Sequence, residues 1–321
     1  IMKNHTRTKV LAIALGLAVV LASGMAVARA REKFQEKFDR TEALAKDGKV
    51  YLSNISGNVE VKSWKEDQVK IEAVKFSEAS SLEKAKENAK EVTIEVTKEA
   101  GQVRIETRYP NQHGFWGGDS VNVSVDYKLW VPEKAAIELR TISGDVKVGS
   151  IGGQAKIRTV SGDVDVLGAA GLDVDVTSGD LTIEDIAGDV YIKTVSGDVK
   201  ASRIKGSIEL GSVSGEIVLK DVSEARSVTG HNVSGDITLT GTIMPGGNYE
   251  LKSQSGNITM TIPAGSAFDL EARSFSGVID TDFPIEVVGK ISPKEIHGTV
   301  NKGGARIRLT AFSGNVELKK K

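Results

Sequence analysis

The chain has 321 residues, with 42 Lys and Arg against 43 Asp and Glu, a formal net charge of −1, and no cysteine. The missing cysteine excludes a disulfide staple, a thiolate nucleophile and a cysteine metal site, and the evenly mixed charge excludes the concentrated basic face that nucleic acid rewards. Aromatic residues are sparse at 5% and Pro occurs six times, whereas Gly occurs 34 times; many tight turns with few rigid ones suit a repeat better than a loop-rich enzyme.

Residues 1–30 read as an export leader. Lys3, Arg7 and Lys9 form a positive start, an uncharged run follows from Val10 to Ala28, and Ala26-Val27-Ala28 and Ala28-Arg29-Ala30 give two overlapping A-x-A sites. The strongly apolar part, Val10 to Leu21, is shorter than the ~20 residues that a membrane-crossing helix needs. The expected mature chain therefore has no stable membrane span, and the uncharged stretch kept as an anchor is the alternative. No cysteine follows for lipid attachment.

Residues 31–135 read as a β-rich cap. Val50-Tyr51-Leu52 and Val59-Glu60-Val61 form a first copy of the repeat described below. Strands are expected at Val69 to Val74, Val92 to Val96, Val103 to Thr107 and Val121 to Val131. Ser80-Ser81-Leu82-Glu83 reads as a capping box opening one short helix through Lys90. Between two of these strands, the loop Tyr109 to Gly118 gathers Tyr109, His113, Phe115 and Trp116, a concentration of aromatics suited either to covering core or to holding a partner. These four residues are the candidate partner contacts.

From residue 136 to 321 a repeat governs the chain. Ser-Gly recurs ten times after the leader, at Ser56, Ser143, Ser161, Ser178, Ser196, Ser214, Ser234, Ser255, Ser276 and Ser313. From Ser143 the spacings are 18, 17, 18, 18, 20, 21, 21 and then 37 residues. The last gap is about two periods, with Gly298 or Gly303 as the expected degenerate turn inside it. Three residues after each serine stands an aliphatic side chain, as in Val146, Val164, Leu181, Val199 and Ile217, and a second follows two further on. Another aliphatic column lies four residues before the serine, as in Leu139, Ile157 and Val174. The residues between are mostly polar, the period-two pattern of half-buried strands. The glycine of each copy is expected at positive φ.

Each unit of about eighteen residues is thus two short strands and two turns, unable to bury its apolar face alone. The expected fold is all-β: a parallel β-solenoid with two main sheets, 18–21 residues per coil, carrying the irregular cap at one end. Stacking at ~4.8 Å makes a rod roughly 40 Å long. An antiparallel meander is the alternative. Lys319-Lys320-Lys321 are expected to protect the far edge from pairing.

The run Leu52-Ser53-Asn54-Ile55-Ser56-Gly57-Asn58-Val59-Glu60-Val61 followed by Trp64, the Thr-Val-Ser-Gly-Asp-Val segments at Thr159 and Thr194, the step Trp130-Val131-Pro132 and the closing Phe312-Ser313-Gly314-Asn315-Val316 resemble the bacterial adhesin-type family of β-strand-repeat proteins, a domain of unknown function. The likeness spans roughly residues 34 to 321. It implies an exported envelope protein, periplasmic or at the cell surface, and supplies no catalytic residues.

No Gly-x-Ser-x-Gly elbow, Walker pattern or paired-histidine spacing is present, so no catalytic residue and no cofactor are expected. The residue after Ser-Gly is acidic in most copies, and a file of carboxylates through Asp163, Asp180 and Asp198 marks these three as the only calcium candidates; the nonapeptide pattern of calcium-binding solenoids is missing, and a turn role is preferred. The expected function is a non-catalytic scaffold or binding module serving adhesion, assembly or surface-stress sensing, with an envelope or cell-surface protein or glycan, or a second copy, as partner. The alternatives are a polysaccharide-active β-helix enzyme and an end-to-end filament former.

Overall fold

A computed structural model describes residues 31–110, 122–287, 292 and 294–321. The cap comprises β1 (Glu32–Ala43), β2 (Lys49–Ser53), β3 (Val59–Trp64), β4 (Gln68–Ala79), α1 (Leu82–Glu91), β5 (Thr93–Glu99), β6 (Gln102–Arg108) and β7 (Val123–Pro132). Coils follow, each pairing a longer strand with a shorter one: β8 and β9 (Ala136–Ser143, Val146–Val148), β10 and β11 (Gln154–Ser161, Val164–Val166), β12 and β13 (Gly171–Ser178, Leu181–Glu184), β14 and β15 (Val190–Ser196, Val199–Ser202). The same pattern continues through β16 and β17 (Ile208–Ser214, Ile217–Val222), β18 and β19 (Ser227–Ser234, Ile237–Gly241) and β20 and β21 (Asn248–Ser255, Ile258–Ile262).

Successive coils pair in parallel, with the serines of neighbouring repeats aligned: Ser143 with Ser161, Ser161 with Ser178, Ser178 with Ser196. The parallel solenoid, not the meander, is what forms. Sheet I holds 13 strands and sheet II holds 14. Their inner faces meet in one core. In the coil of Ser161, the side chains of Ala155, Ile157, Val164 and Val166 are all buried, and full burial of each of the three larger ones is worth about 1.5–3 kcal/mol. In the aliphatic column of sheet II, Gly230 takes one place, because a β-carbon there would stand 3.0 Å from Leu251 Cδ2.

Nine of the ten Ser-Gly glycines have φ between 116° and 154°, a region closed to other residues. They are also packed on one another. A β-carbon on Gly162 would lie 2.2 Å from the carbonyl oxygen of Gly144, and one on Gly179 would lie 2.1 Å from that of Gly162. At these nine corners glycine is required twice over, once by φ and once by the coil beneath, and at Gly277 by the neighbouring coil alone.

In the cap, α1 is capped by Ser81, whose hydroxyl accepts from the Lys84 amide at 3.2 Å. The cap lies one residue later than the capping box placed it, so Glu83 does not occupy the reciprocal position. The long strand β1 was not foreseen. It pairs antiparallel with β4 at the edge of sheet I, and its run of charges with Phe34 and Phe38 four apart hides a strand whose outer face is solvated.

The gap of 37 residues is not a hidden coil. The pair β22 and β23 (Phe268–Ser274, Ile279–Thr281) is followed by an antiparallel excursion, β24 (Glu286–Val287) and β25 (Glu295–Val300), and then by β26 and β27 (Ala305–Ser313, Val316–Lys320). Gly303, at φ 73°, turns β25 into β26, and Gly298 lies within β25. The closing pair inserts: β26 lies between β20 and β22, and β27 between β21 and β23. Lys319 and Lys320 therefore belong to an interior strand, and edge protection by the terminal lysines does not occur; the edge of sheet I opposite β1 is β23.

Gly162→Ala should destabilise the chain by more than about 1 kcal/mol. The same change at Gly211, whose added β-carbon would meet nothing within 4 Å, should be neutral or stabilising. Chemical denaturation of both variants checks the pair, and equal costs would remove the corner packing as the cause.

Candidate functional site

The acidic column lies just past each glycine corner, where the backbone amide has no carbonyl of the preceding coil to meet. The side chain of that coil supplies the acceptor. The Asp163 amide donates to Asp145 Oδ1 at 3.1 Å, Asp180 to Asp163 at 2.9 Å, Asp198 to Asp180 at 2.9 Å and Glu216 to Asp198 at 2.8 Å. The ladder begins with Asn58 donating to Asp126 and Asp145 donating to Asn58. It resumes with Asn257 on Asp236 and Asn315 on Asn257. Asp and Asn share the column because both present Oδ1 at the same reach. Among the described residues no group of three His, Asp or Glu side chains is placed to hold a metal ion.

A second file, two residues before the serine, is buried throughout and polar in eight of the ten copies: Asn54, Thr141, Thr159, Thr194, Ser212, Asn232, Ser253 and Ser274, with Val176 and Ala311 in the other two. All of the eight polar side chains but Thr194 bond carbonyls at the corner. Asn232 Nδ2 reaches Gly215 O at 2.9 Å and Gly235 O at 3.0 Å, and Ser274 Oγ reaches Gly314 O at 2.8 Å.

The residue between that file and the serine points the other way. Ile55, Ile142, Val160, Val195, Val213, Val233, Phe312 and Phe275 stand on the outer face of sheet II, from 40% exposed at Ile55 to 68% at Phe275. The register aligns them in one ridge, with Thr177 and Gln254 as its only polar members. Phe275 and Phe312 stack with centroids 4.8 Å apart. A continuous exposed apolar strip of this kind is a candidate contact surface.

Beside the ridge run two columns of charged and polar side chains joined by ion pairs. Lys49 lies 2.6 Å from Glu138, whose other oxygen is 2.7 Å from Arg140. Both Arg104 and Arg140 stack over the Tyr51 ring, 4.1 and 5.6 Å from its centroid. Lys156 pairs with Asp173, Arg158 with Asp175, Lys252 with Glu250, and Arg308 and Arg273 with Glu271. The hydrogen bonds from Lys49 and Arg140 hold the Glu138 carboxyl down at about 2, against the resistance of its burial.

The sequence-derived contact residues fall differently. The Tyr109 ring packs against the core and its hydroxyl donates to Val123 O at 3.1 Å; burial pushes the phenol up to about 12. Its ring is thus used by the fold. His113, Phe115 and Trp116 lie outside the described residues. Asp163, Asp180 and Asp198 stand in one file as expected, each accepting a backbone amide. The ridge was missed. Its signal is legible in the aligned copies, where an apolar residue precedes the serine in eight of ten, at the parity that faces outward.

Corner ladder, two-sheet core and exposed ridge together define a β-solenoid that offers a long face. The chain belongs to the Toastrack DUF4097 family, whose model matches residues 48–319. Among solved structures it is similar to a putative adhesin from Bacteroides fragilis (12% identity, 89% of this chain and 97% of that one, TM-score 0.37). It is also similar to a putative adhesin from Parabacteroides distasonis (13% identity, 88% and 97%, TM-score 0.35) and to a putative cell adhesion protein from Clostridium sporogenes (10%, 89% and 100%, TM-score 0.22). No curated protein matches the chain.

Two measurements check this account of the side chains. Asp180→Asn should keep the melting temperature, because Oδ1 remains, whereas Asp180→Ala should lose about 0.5–1.5 kcal/mol for one hydrogen bond; millimolar calcium should change neither by more than a degree or so, and a rise of about ten degrees would make the file a cation site. Because the Glu138 carboxyl is held low in the fold, its stabilising effect is complete above its ordinary value near 4.5 and fades as pH falls toward about 2. Melting curves of wild type and Glu138→Gln should therefore differ most near pH 6 and converge by pH 2; a gap independent of pH would remove the ion pairs as its source.

Proposed function

We propose that this chain is an exported, non-catalytic binding module of the bacterial envelope, periplasmic or at the cell surface, which engages a surface component along the outer face of sheet II. The observation that carries the reading is the ridge from Ile55 to Phe275. Eight apolar side chains are held in one exposed line, although the corner geometry leaves that position free to be polar, as Thr177 and Gln254 show. The leader-like residues 1–30 support export. Family membership and the solenoid architecture agree with a binding role. The face does not favour a polysaccharide-active enzyme: Asp173 and Asp175 are each tied to a cation, and the carboxylates of the corner file accept backbone amides. Among the described residues no helix is long and apolar enough to cross a membrane.

The test uses the mature chain and native envelope material. Wild type should co-sediment with the envelope. The triple variant Val160→Asp, Val195→Asp, Val213→Asp should keep its melting temperature within a few degrees and bind at least about tenfold more weakly, because central apolar anchors carry most of an interface's affinity. Undiminished binding by the folded triple variant would remove the ridge from the contact surface.

A further inference from the structure

Midway along the outer face of sheet II the ion-pair lacing stops. Gly211 takes the place held by Lys193 in the coil before and by His231 in the coil after. Nothing in the fold requires glycine there. Its φ is not positive, an added β-carbon would meet no atom within 4 Å, and glycine inside a strand weakens it. The missing side chain opens a hollow of about 420 Å³, lined by Tyr191, Lys193, Glu209, Gly211 and His231 and, on the side of the preceding coils, by the paired Arg158, Asp173 and Asp175. That volume is within the range of roughly 300–1,000 Å³ typical of small-molecule sites. Among the described residues no hydrogen bond or ion pair engages the side chains of Tyr191, Lys193, Glu209 or His231, whereas the charges of the coils on either side are paired. Tyr191 leaves 51% of its surface exposed.

We propose that this hollow is a saccharide subsite. A pyranose ring has an apolar C–H face that stacks on an aromatic ring, and a rim of hydroxyls, each of which both donates and accepts. Tyr191 is the platform at the wall, Lys193 donates, Glu209 accepts, and His231 does either according to its tautomer. A phosphate or another small anion would be opposed by Glu209, while Arg158 is already committed to Asp173 and Asp175, and a flat apolar ligand would leave three charged or polar groups desolvated without partners. The inference deepens the binding role proposed above and rests on it for its biological setting, but its geometry is independent of the ridge.

The experiment is calorimetric titration of the mature chain with cellobiose, N,N′-diacetylchitobiose and digalacturonic acid, which present neutral, N-acetylated and anionic pyranoses. At least one should bind, and binding should fall at least about tenfold in Tyr191→Ala, which removes the platform, and in Gly211→Leu, which fills the hollow. Gly211→Leu keeps every other residue in place, so it decides the matter if Tyr191→Ala fails to fold. The triple ridge variant should lose envelope binding and retain the saccharide, which separates failure of this site from failure of the broader reading. Absence of binding by all three probes, or binding unchanged in folded Gly211→Leu, would overturn the proposal.

Discussion

At every corner of the stack after the first, a glycine carbonyl oxygen occupies the space where the next coil's β-carbon would begin; at the first, Gly57 meets the carbonyl of Val125. The close approach lets the backbones pass within hydrogen-bonding distance while they turn from one sheet to the other, and it can be sustained only where the overlying residue is glycine. Everything else is registered to it. Because the corners coincide, the serines align; because the serines align, the aliphatic residues three places on and four places back fall into continuous files, and the core closes. An amide orphaned by the turn then finds the carboxylate or carboxamide of the coil below it, so a feature that resembles a cation site in composition is the hydrogen-bond completion of the corner.

The same registration organises the surface. A strand position that faces outward in one coil faces outward in all of them, so any residue preference at that position becomes a stripe the length of the rod. Sheet II carries three such stripes: two of charges knitted by short ion pairs and one apolar. Ion pairs at this exposure contribute little to stability singly, but they hold long side chains in place and leave a defined relief. Against that relief a single glycine is a hole and a single row of valines is a ridge.

Much of this was legible in the amino-acid sequence, and for a physical reason. Glycine at the corner has no substitute, so Ser-Gly repeats without loss and sets the frame in which the aliphatic columns appear. Legibility failed where chemistry and direction disagree. Thr159 is polar yet faces inward, because its hydroxyl serves the corner carbonyls, and Val160 is apolar yet faces outward; a reading by hydrophobicity alone exchanges them. It failed for β1, whose burial is too shallow to impose alternation, and it misplaced the helix cap by one residue because Ser80 and Ser81 both suit the position. The order of coils in space was out of reach, since a period records how many turns there are and not which lies beside which.

That order has a mechanical meaning. The pair β26 and β27 is flanked on both sides, by β20 and β22 in one sheet and by β21 and β23 in the other, while the strands that precede it in the chain lie farther out. The pair β26 and β27 therefore acts as a key slid between two coils that precede it in the chain. Until it arrives, β22 and β23 have no parallel neighbour and the core of Phe268, Leu270 and Ala272 has an open side, so this end of the rod cannot fold by simple addition of turns. Once in place, the key cannot be peeled away as an outermost turn would be. Tension applied at Lys321 must shear two ladders in each sheet at once, and a rod that would otherwise unravel from its end is latched one coil inward.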